Sequence, residues 1–387
     1  MTVKIILDFR KYNGVVGGVE QGAIQIARWM STNGHQVILL CKDSRSQEVK
    51  DMFTAQPGVS IHPLPVKSHV ISRENSKLDS GYIQDLAEKE KADVIHFYYN
   101  WSFPRNSKAP CLLTVHDVIP FTFREAMPFI KNWFAYRPGI KTACQLNNLI
   151  VTVSEYSKQD ISQKANVPLD KIRVIPNGLR EPNPENAATM KALAARCRLH
   201  DAFILNVGGI HERKNIVRLI QAFTLMVKEY GYDGHLVITG STSGAPYQEK
   251  MKKQCDAAVK TSGIADRITF TGFVTEQELD QLLRRAQLLI YPSLYEGFGI
   301  PILEAMKVGT PVVTSNVTAM PEVAGDAAQL VNPIDISAMA AAMNRVLKDE
   351  QLREEMRRKG YARASSYSWD KSCKQYLQVY KEISGLA

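Results

Sequence analysis

Several kinds of segment are missing from this chain of 387 residues. No stretch approaches the roughly 20 uninterrupted apolar residues of a membrane-spanning helix. The opening residues, MTVKIILDFR, have too short an apolar run for a secretory signal, because an Asp interrupts it at once. Low-complexity segments and short-period repeats are also missing. We therefore expect a globular, cytoplasmic protein that is neither exported by a signal peptide nor integral to a membrane.

Metal-binding and cofactor-binding patterns are equally scarce. The six cysteines form no CxxC pair and no cluster with histidine at metal-ligand spacing, which predicts reduced thiols and no metal site. No GxGxxG follows a strand-like run, so an NAD-dependent oxidoreductase is excluded on motif grounds. No common nucleic-acid-binding motif occurs, so we expect no nucleic-acid partner.

Basic residues are in excess, and the excess is uneven. The net charge is +9, and residues 1–180 hold 23 Lys and Arg against 16 Asp and Glu. Such a surface suits an anionic ligand or an anionic membrane. Simple solubilising charge is the alternative, and the composition does not decide between them.

Short β-branched runs alternate with segments of helical period along the chain, which predicts parallel sheets with helices on both faces. The predicted strands are Val3–Asp8, Val37–Cys41, Asp93–Tyr98, Cys111–Val115, Leu149–Val153, Arg173–Ile175, Phe203–Val207, Leu236–Thr239, Ile268–Thr271, Leu288–Tyr291 and Pro311–Thr314. Residues Arg180–Glu185 have the composition of a linker, and two domains are expected to join near Asn177–Pro184. The fold class is therefore α/β, with two doubly wound domains at residues 1–180 and 181–368.

Three helices are predicted in the remaining sequence, namely Ile336–Lys348, Glu350–Ser365 and Trp369–Ile383. The simplest interpretation of their pattern is that they cap the second sheet. Earlier in the chain, helices at Glu20–Asn33 and Asn215–Tyr230 follow the first strand of each domain.

The most informative segment is YEGFGIPILE, in which Glu296 and Glu304 stand eight residues apart. It follows a predicted strand, and Pro301 predicts that a helix begins there. A glycine-rich loop at a helix N-terminus offers backbone N–H groups and the positive end of the helix dipole to a phosphate. Glu304 suits the vicinal hydroxyls of a ribose. Either glutamate alone would be a surface residue, whereas the pair with its glycines indicates function.

A second segment, NVGGIHERKN, follows the first strand of the second domain. It places Arg213 and Lys214 at a strand-to-helix turn, where a guanidinium fork and a point charge suit a diphosphate. A basic pair elsewhere in the chain would indicate only a solvated surface.

Two segments of the first domain are also candidates. In VHDVIP, His116 ends a predicted strand, where an imidazole can hydrogen-bond a hydroxyl or a phosphate. A chance His-Asp pair, with Asp117 as a helix N-cap, is the alternative. Gly17 and Gly18 precede the first helix, where they either admit a phosphate or acceptor or simply make a turn.

Together these segments resemble a known family. EGFGIPILEAM, GG-IHERKN, VHDVIP, VSEYS, IPNG and MPEVAGDAA are similar to motifs of the retaining glycosyltransferases of family 4. The resemblance runs from Gly17 to about Val331, and the spaced glutamates are its most specific element. It implies the GT-B fold, in which two Rossmann-like domains face a central cleft and the C-terminal helix crosses back to the first domain.

The resemblance also implies a role for each matching residue. The catalytic residues are His116, Arg213, Lys214 and Glu296, with His116 and Glu296 at the donor sugar and the two cations at the departing diphosphate. Glu304 holds the ribose, and the backbone that follows the strand Ile268–Thr271 meets the base. The donor-binding residues are Gly17, Gly18, Gly209, Phe273, Val274, Gly297, Phe298, Gly299, Ile300 and Glu304.

VHDVIP and the segment after it are similar to bacterial mannosyltransferases of surface-polysaccharide assembly, which implies GDP-mannose as the donor. A UDP-sugar is the main alternative. No DxD motif is evident, so we expect cationic side chains rather than a metal ion to neutralise the leaving diphosphate. A sugar-nucleotide epimerase and an inactive nucleotide-sugar-binding protein are rival interpretations, which the EGFG…E pattern and the intact catalytic residues disfavour.

The acceptor is expected to be a glycan or a lipid-linked saccharide. Ser68–Gly81 and Trp101–Lys108 in the first domain match no pattern that would identify it further. Met127–Leu146 mixes aromatic and basic residues, as at the interface of an anionic membrane, which predicts peripheral membrane association. Core packing of these aromatic residues is the alternative.

Overall fold

The computed structural model describes residues 1–67, 71–123, 132–244 and 246–386. The chain forms two compact units: Met1–Gly178 together with Tyr367–Ala387, and Leu179–Ser366. The predicted boundaries, after residues 180 and 368, each lie two residues beyond those of the structure. Within the described ranges, no helix combines the length and the apolar character needed to cross a bilayer.

The first unit is built on a parallel sheet of seven strands in the order β3-β2-β1-β4-β5-β6-β7. The strands are β1 Lys4–Asp8, β2 Gln36–Lys42, β3 Val59–Leu64, β4 Val94–Phe97, β5 Cys111–Thr114, β6 Leu149–Thr152 and β7 Ile172–Val174. The interior strands are buried, which explains their continuous apolar runs. The sequence did not predict β3, because Pro63 lies within it. β3 is an edge strand, where the missing N–H of proline is tolerated.

The second unit has a parallel sheet of six strands in the order β10-β9-β8-β11-β12-β13. The strands are β8 Phe203–Val207, β9 His235–Thr239, β10 Ile268–Gly272, β11 Leu288–Tyr291, β12 Val312–Ser315 and β13 Gln329–Val331. β13 was not predicted; it is a three-residue strand at the edge of the sheet. The strand order reverses between β8 and β11, and ligands bind at such a reversal, outside the carboxyl ends of the strands.

The helices of each unit follow its strands. Those of the first unit are Gly18–Thr32, Ser46–Met52, Arg73–Lys77, Ile83–Glu90, Arg137–Leu146, Glu155–Ala165 and Trp369–Ser384. Those of the second are Ala187–Cys197, Ile216–Lys228, Pro246–Ser262, Glu276–Arg285, Ile300–Lys307, Met320–Ala324, Ile336–Lys348 and Glu350–Ser365. The first helix begins before its predicted start, because Glu20 reaches back to the amide of Gly17 at 3.1 Å and caps the helix there.

The helix Trp369–Ser384 packs on the first unit rather than on the second sheet. The indole of Trp29 donates a hydrogen bond to Asp370 at 2.9 Å, and the Ser372 hydroxyl donates to the carbonyl of Pro176 at 2.6 Å. The Tyr380 hydroxyl lies 2.7 Å from Nδ1 of His96. The simple prediction that the last three helices all cap the second sheet is therefore wrong for this helix. Its return to the first unit, which the family resemblance implied, is confirmed.

A buried ion network closes the carboxyl end of β1. Arg10 has no exposed surface, and its guanidinium donates to both carboxylate oxygens of Asp8 at 2.8 Å and to Asp79 at 2.7 Å. The second oxygen of Asp79 accepts from the amide of Phe103 at 2.8 Å. One cation thus holds two buried carboxylates, one on β1 and one on a distant helical segment.

Candidate active site

Two glycines make room for the basic pair of the second unit. β8 ends at Val207, and Gly208 and Gly209 follow with φ of +123° and +72°. A Cβ on Gly208 would lie 2.7 Å from Nζ of Lys214, and one on Gly209 would lie 2.7 Å from the carbonyl of Ser241. Only glycine therefore allows this turn and the close passage of the lysine beneath it.

Arg213, Lys214 and Glu296 come together in one cluster. The Arg213 guanidinium lies 2.6 Å from Oε1 of Glu296, and Nζ of Lys214 lies 2.8 Å from the same oxygen. Lys214 also donates a hydrogen bond to the hydroxyl of Tyr291, the last residue of β11. Two cations against one carboxylate leave an excess of positive charge, which suits a diphosphate.

Glu296 is held in its ionised form. The residue is 8% exposed and Lys214 is 5% exposed. Burial alone would raise the pKa of Glu296, but the charges of Lys214 and Arg213 outweigh it and hold the pKa below its usual value. An ionised carboxylate only accepts hydrogen bonds, so Glu296 is suited to bind the hydroxyls of a sugar.

The loop after Glu296 leads into a helix, as the sequence predicts. Gly299 has a φ of +110°, and the helix Ile300–Lys307 starts directly after it with Pro301 in its first turn. Gly297 and Phe298 lie between Glu296 and this helix start. The positive end of the helix dipole is therefore close in sequence to the cationic cluster.

The other predicted donor-binding residues of this unit lie at neighbouring strand ends. Glu304 is one turn into the helix Ile300–Lys307, and its side chain is 17% exposed. Phe273 and Val274 follow β10, and Phe273 is 73% exposed. β8, β10 and β11 belong to one parallel sheet, so their carboxyl ends lie on the same edge. Contact of these residues with a donor stays a prediction.

His116 lies in the first unit, just after β5. Its Nε2 is 3.1 Å from the carbonyl of Tyr98, and its amide donates to Oδ1 of Asn100 at 3.1 Å. A carbonyl only accepts, so Nε2 carries the proton and Nδ1 is the acceptor of the neutral ring. Burial lowers the pKa of His116 to about 4, which keeps the imidazole neutral near pH 7.

The structure also bears on the predicted roles of Asp117 and Gly17 in the first unit. Asp117 accepts from the amide of Ile119 at 3.1 Å, so it forms a turn of the Asx type rather than a helix N-cap. Gly17 is the N-cap of the first helix with φ of −103°, a conformation open to any residue. The backbone therefore does not explain this glycine, and a role for Gly17 and Gly18 in donor binding stays a prediction.

The buried histidines of the first unit predict a loss of stability in acid. Burial lowers the pKa of His96 to about 3 and that of His116 to about 4, from 6.5. Their contribution is present above about pH 6.5 and is lost as the pH falls toward the folded-state values. We expect the free energy of unfolding to fall by up to about 2 kcal/mol per histidine between pH 7 and pH 5.

Urea titrations at the two pH values check this expectation. His116→Gln should reduce the pH dependence, because one of the buried titrating rings is lost. Equal pH dependence in the wild type and in His116→Gln would contradict the prediction.

Three residues of the site were not predicted from the sequence. Tyr291 hydrogen-bonds Lys214, but in the sequence it is only the last residue of an apolar strand. Arg180 and Asp280 form an ion pair of 2.6 Å close to Glu304. Arg180 and Asp280 are far apart along the chain, so no local pattern indicated their pairing. The position of Arg180 soon after the IPNG segment was the one signal that could have marked it as a candidate. Across the described ranges, no group of three His, Cys, Asp or Glu side chains is arranged to hold a metal ion.

Comparison with known families decides the class of protein. The model described as "Glycosyltransferase Family 4" matches residues 16–180, and the model described as "Glycosyl transferases group 1" matches residues 196–363. The chain is 31% identical over 301 residues to the O-antigen chain mannosyltransferase B of Escherichia coli, covering 77% of each protein. The chain is a family 4 glycosyltransferase. This assignment favours the transferase over the rival epimerase.

Other relatives of the transferase also carry the name of mannosyltransferases. It is 29% identical to the O-antigen chain mannosyltransferase RfbU of Salmonella typhimurium, with 60% of each chain covered. It is 27% identical to the serotype-specific mannosyltransferase WbdA of Escherichia coli, matching 70% of the present chain. The matched part spans only about a third of WbdA, 33% of its length.

Solved structures place the transferase in the GT-B fold class. A glycosyltransferase from Rickettsia africae superposes with a TM-score of 0.74 at 17% identity, covering 99% of this chain and 98% of that one. Anabaena Alr3699/HepE, solved in complex with UDP, gives 0.72 at 18% identity, covering 99% and 100%. The prediction of two Rossmann-like α/β units is thus confirmed.

Proposed function

We propose that the transferase moves a mannosyl residue from GDP-mannose to a glycan or lipid-linked saccharide in the assembly of a bacterial cell-surface polysaccharide. The reaction retains the anomeric configuration and needs no metal ion. The names of the relatives support mannose as the transferred sugar. The observation that carries the proposal is the cluster of Arg213 and Lys214 on Glu296, because it combines a diphosphate site with a sugar-binding carboxylate.

The cations act on the leaving group. As the bond between C1 of the sugar and the diphosphate oxygen breaks, negative charge develops on that oxygen. Arg213 and Lys214 stabilise it, and Lys214 is already oriented by Tyr291. The acceptor hydroxyl attacks C1 from the face that the diphosphate leaves, and its proton passes to the departing phosphate oxygen. The products are the nucleoside diphosphate and a glycoside of unchanged anomeric configuration.

Carboxylate and imidazole acceptors orient the donor. Glu296 accepts hydrogen bonds from hydroxyls of the sugar, as its ionised state allows. Nδ1 of His116 accepts one more, because Nε2 is engaged by the carbonyl of Tyr98. Glu304 accepts from the two ribose hydroxyls, and the chain after β10 meets the base.

A ligand screen in chelator tests the donor assignment. Thermal unfolding would be followed with GDP, UDP, ADP and their sugar conjugates in the presence of EDTA. We expect GDP and GDP-mannose to stabilise the protein, by about 2.7 kcal/mol at a hundred times the dissociation constant. A preference for UDP, the nucleotide bound in the HepE structure, would show that the donor is a UDP-sugar rather than GDP-mannose. The proposed transfer mechanism would then be unchanged. No stabilisation by any nucleotide would overturn the proposal.

The stereochemical and metal assignments need turnover. Proton NMR of the first product formed from GDP-α-mannose should show an α-linkage, and a β-linked product would contradict retention. Rates in EDTA should equal those in added Mg²⁺, because side chains rather than a metal ion neutralise the diphosphate. A rate that vanishes in EDTA and returns with Mg²⁺ would contradict the metal-independent mechanism.

We also propose that the transferase works at the inner face of the cytoplasmic membrane, bound to anionic lipid. Residues 127–131 of the predicted membrane segment lie outside the described residues. Of the rest, Tyr136 is buried as the core-packing alternative predicts, but Trp133 and Phe134 are 49% and 73% exposed. The Arg137 guanidinium lies over the Trp133 ring at 4.7 Å. Trp133, Arg137 and Lys141 line one surface groove. Exposed aromatic rings beside cations suit an anionic lipid surface.

Vesicle flotation tests this placement. The protein should float with phosphatidylglycerol vesicles at low salt and remain in solution with phosphatidylcholine vesicles. Trp133→Ser combined with Phe134→Ser should abolish flotation without changing nucleotide binding. Failure of the wild type to float with anionic vesicles would remove the membrane assignment.

A further inference from the structure

The residues that follow the first unit are anchored to the helices of the second. In this connector, Leu179–Glu185, both terminal nitrogens of Arg180 donate to Asp280, at 2.8 and 2.6 Å. The amide and side chain of Asn183 donate to the same carboxylate, each at 2.8 Å. The Lys307 ammonium holds the connector from a second helix, at 3.2 Å from the Arg180 carbonyl and 2.8 Å from Glu181. The predicted linker is thus a fixed part of the second unit.

The remaining nitrogen of the Arg180 guanidinium faces Glu304. Its Nε lies 3.6 Å from Oε1 of Glu304 and 3.8 Å from a carboxylate oxygen of Glu276. The Arg180 side chain is 14% exposed, so water screens these charges only in part. One arginine therefore serves three carboxylates, of which it hydrogen-bonds only Asp280.

Glu304 differs from Glu296 in how it is held. Among the residues that the structure describes, Glu304 has no hydrogen-bond partner, and Arg180 is the only cation within 4 Å of it. Burial raises the pKa of Glu304 to about 7; Arg180 opposes the rise, while Asp280 and Glu276 add to it. Both oxygens of Glu304 are thus uncommitted, and their charge depends on one guanidinium.

We propose that Arg180 is a positioning residue that favours the ionised form of Glu304 and orients its carboxylate for the two hydroxyls of the donor ribose. The inference rests on the proposed function, which assigns Glu304 to the ribose. An ionised carboxylate accepts from both hydroxyls of a vicinal diol, whereas a protonated one keeps a donor that competes for one of them. Arg180 therefore acts on donor affinity through Glu304, without touching the ligand itself.

The test compares ribose selectivity in two matched variants. Arg180→Met removes the charge and keeps an unbranched stem, and Lys307→Met loosens the same connector without removing the cation beside Glu304. Calorimetry would give the affinities of GDP and 2′-deoxy-GDP, with UDP and 2′-deoxy-UDP in parallel. In the wild type we expect the ribonucleotide to bind about ten to a hundred times more tightly than its deoxy form. Arg180→Met should lower this ratio about fivefold near pH 7, because a midpoint one pH unit higher leaves about a tenth rather than about half of Glu304 ionised. Lys307→Met should leave the ratio unchanged.

The pH profile separates an electrostatic role from a merely structural one. The groups facing Glu304 are Arg180 on the connector and Asp280 and Glu276 on the neighbouring helix. Wild-type affinity for the ribonucleotide should be present above about pH 7 and fall as the pH drops through that value. In Arg180→Met the midpoint of this pH dependence should move up by about one pH unit, a tenfold change in proton affinity. Arg180→Lys should return the midpoint most of the way to the wild-type value.

Each outcome then has a distinct meaning. Wild-type protein that binds a nucleotide but does not distinguish ribose from deoxyribose would remove the ribose role of Glu304, and with it this inference. Selectivity in the wild type that survives intact in Arg180→Met would overturn the role of Arg180 alone. An equal loss of selectivity in Lys307→Met would show that the connector acts as a mechanical anchor, which also overturns the electrostatic role.

Discussion

Replacing Lys214 with methionine is expected to lower kcat by about a hundred- to a thousandfold, with a much smaller change in the KM for the donor. Nζ of Lys214 is a preorganised, almost fully buried charge beside the proposed position of the leaving diphosphate. Removing one such donor from a site of developing negative charge typically costs about 3–4 kcal/mol of transition-state stabilisation. Charge on the leaving oxygen develops mainly in the transition state, so the loss falls on kcat.

Stability should suffer less than turnover in this variant. Glu296 keeps the Arg213 guanidinium at 2.6 Å, so its buried carboxylate is not left without a counterion. Circular dichroism and nucleotide binding would confirm that the variant is folded, and initial rates would give kcat and KM. Lys228→Met, an exposed lysine further along the helix that follows Lys214, is the matched control and should turn over normally. A kcat within about threefold of wild type would remove Lys214 from the mechanism, since that corresponds to under 1 kcal/mol.

The other two members of the cluster are expected to behave similarly. Arg213→Ala and Glu296→Ala should each lower turnover in a folded protein. Arg213 and Lys214 share one oxygen of Glu296, so their effects should not be additive. Near-normal activity in all three single variants would contradict the assignment of the site.

Arg10→Met is expected to produce the largest loss of stability, about 3–5 kcal/mol from the first unit. The guanidinium binds Asp8 and Asp79, which are 0% and 1% exposed. Methionine fills a similar volume but removes the cation that binds both buried carboxylates. Burial already raises the pKa of Asp79, which shows how costly its charge is even with Arg10 present.

The chain has two compact units, and multi-domain proteins often depart from two-state unfolding, so a measurement confined to the first unit is needed. Hydrogen exchange at the amides of β1 and β2 reports on the first unit alone, and their protection should fall by about a hundredfold or more, as 3 kcal/mol implies. Lys108→Met removes a cation that bridges Asp85 and Glu88 at the surface and should leave protection unchanged. Protection in Arg10→Met equal to wild type would contradict the expected cost of removing this buried cation.

Most of the fold could be predicted because its signals are local. Buried parallel strands read as continuous apolar runs, and β8, β11 and two late helices, Ile336–Lys348 and Glu350–Ser365, have the predicted bounds. β3 and β13 were missed; both are edge strands, and Pro63 interrupts the apolar pattern of β3. The place of the helix Trp369–Ser384 could not be derived from its own pattern, because an amphipathic helix does not specify which sheet it covers.

In the site, too, residues with a local sequence signal could be predicted, and contacts between distant parts of the chain could not. Arg213, Lys214 and Glu296 could be predicted because each lies in a glycine-bearing turn directly after a strand, and parallel strands bring such turns to one edge. Nothing in the sequence indicated that Arg180 would pair with Asp280, a hundred positions away. The protonated nitrogen of His116 likewise depends on a carbonyl supplied by a different strand end.

The helix Trp369–Ser384 also sets the order in which the protein can fold. Its contacts with the first unit join residues as far apart as Trp29 and Asp370, separated by 341 positions. All of Leu179–Ser366 is synthesised before the helix Trp369–Ser384, which completes the first unit. The unit synthesised first is therefore expected to mature last, with the apolar surface that receives Tyr376 and Tyr380 uncovered meanwhile. Exposed apolar surface makes such an incomplete unit prone to aggregation until this helix docks.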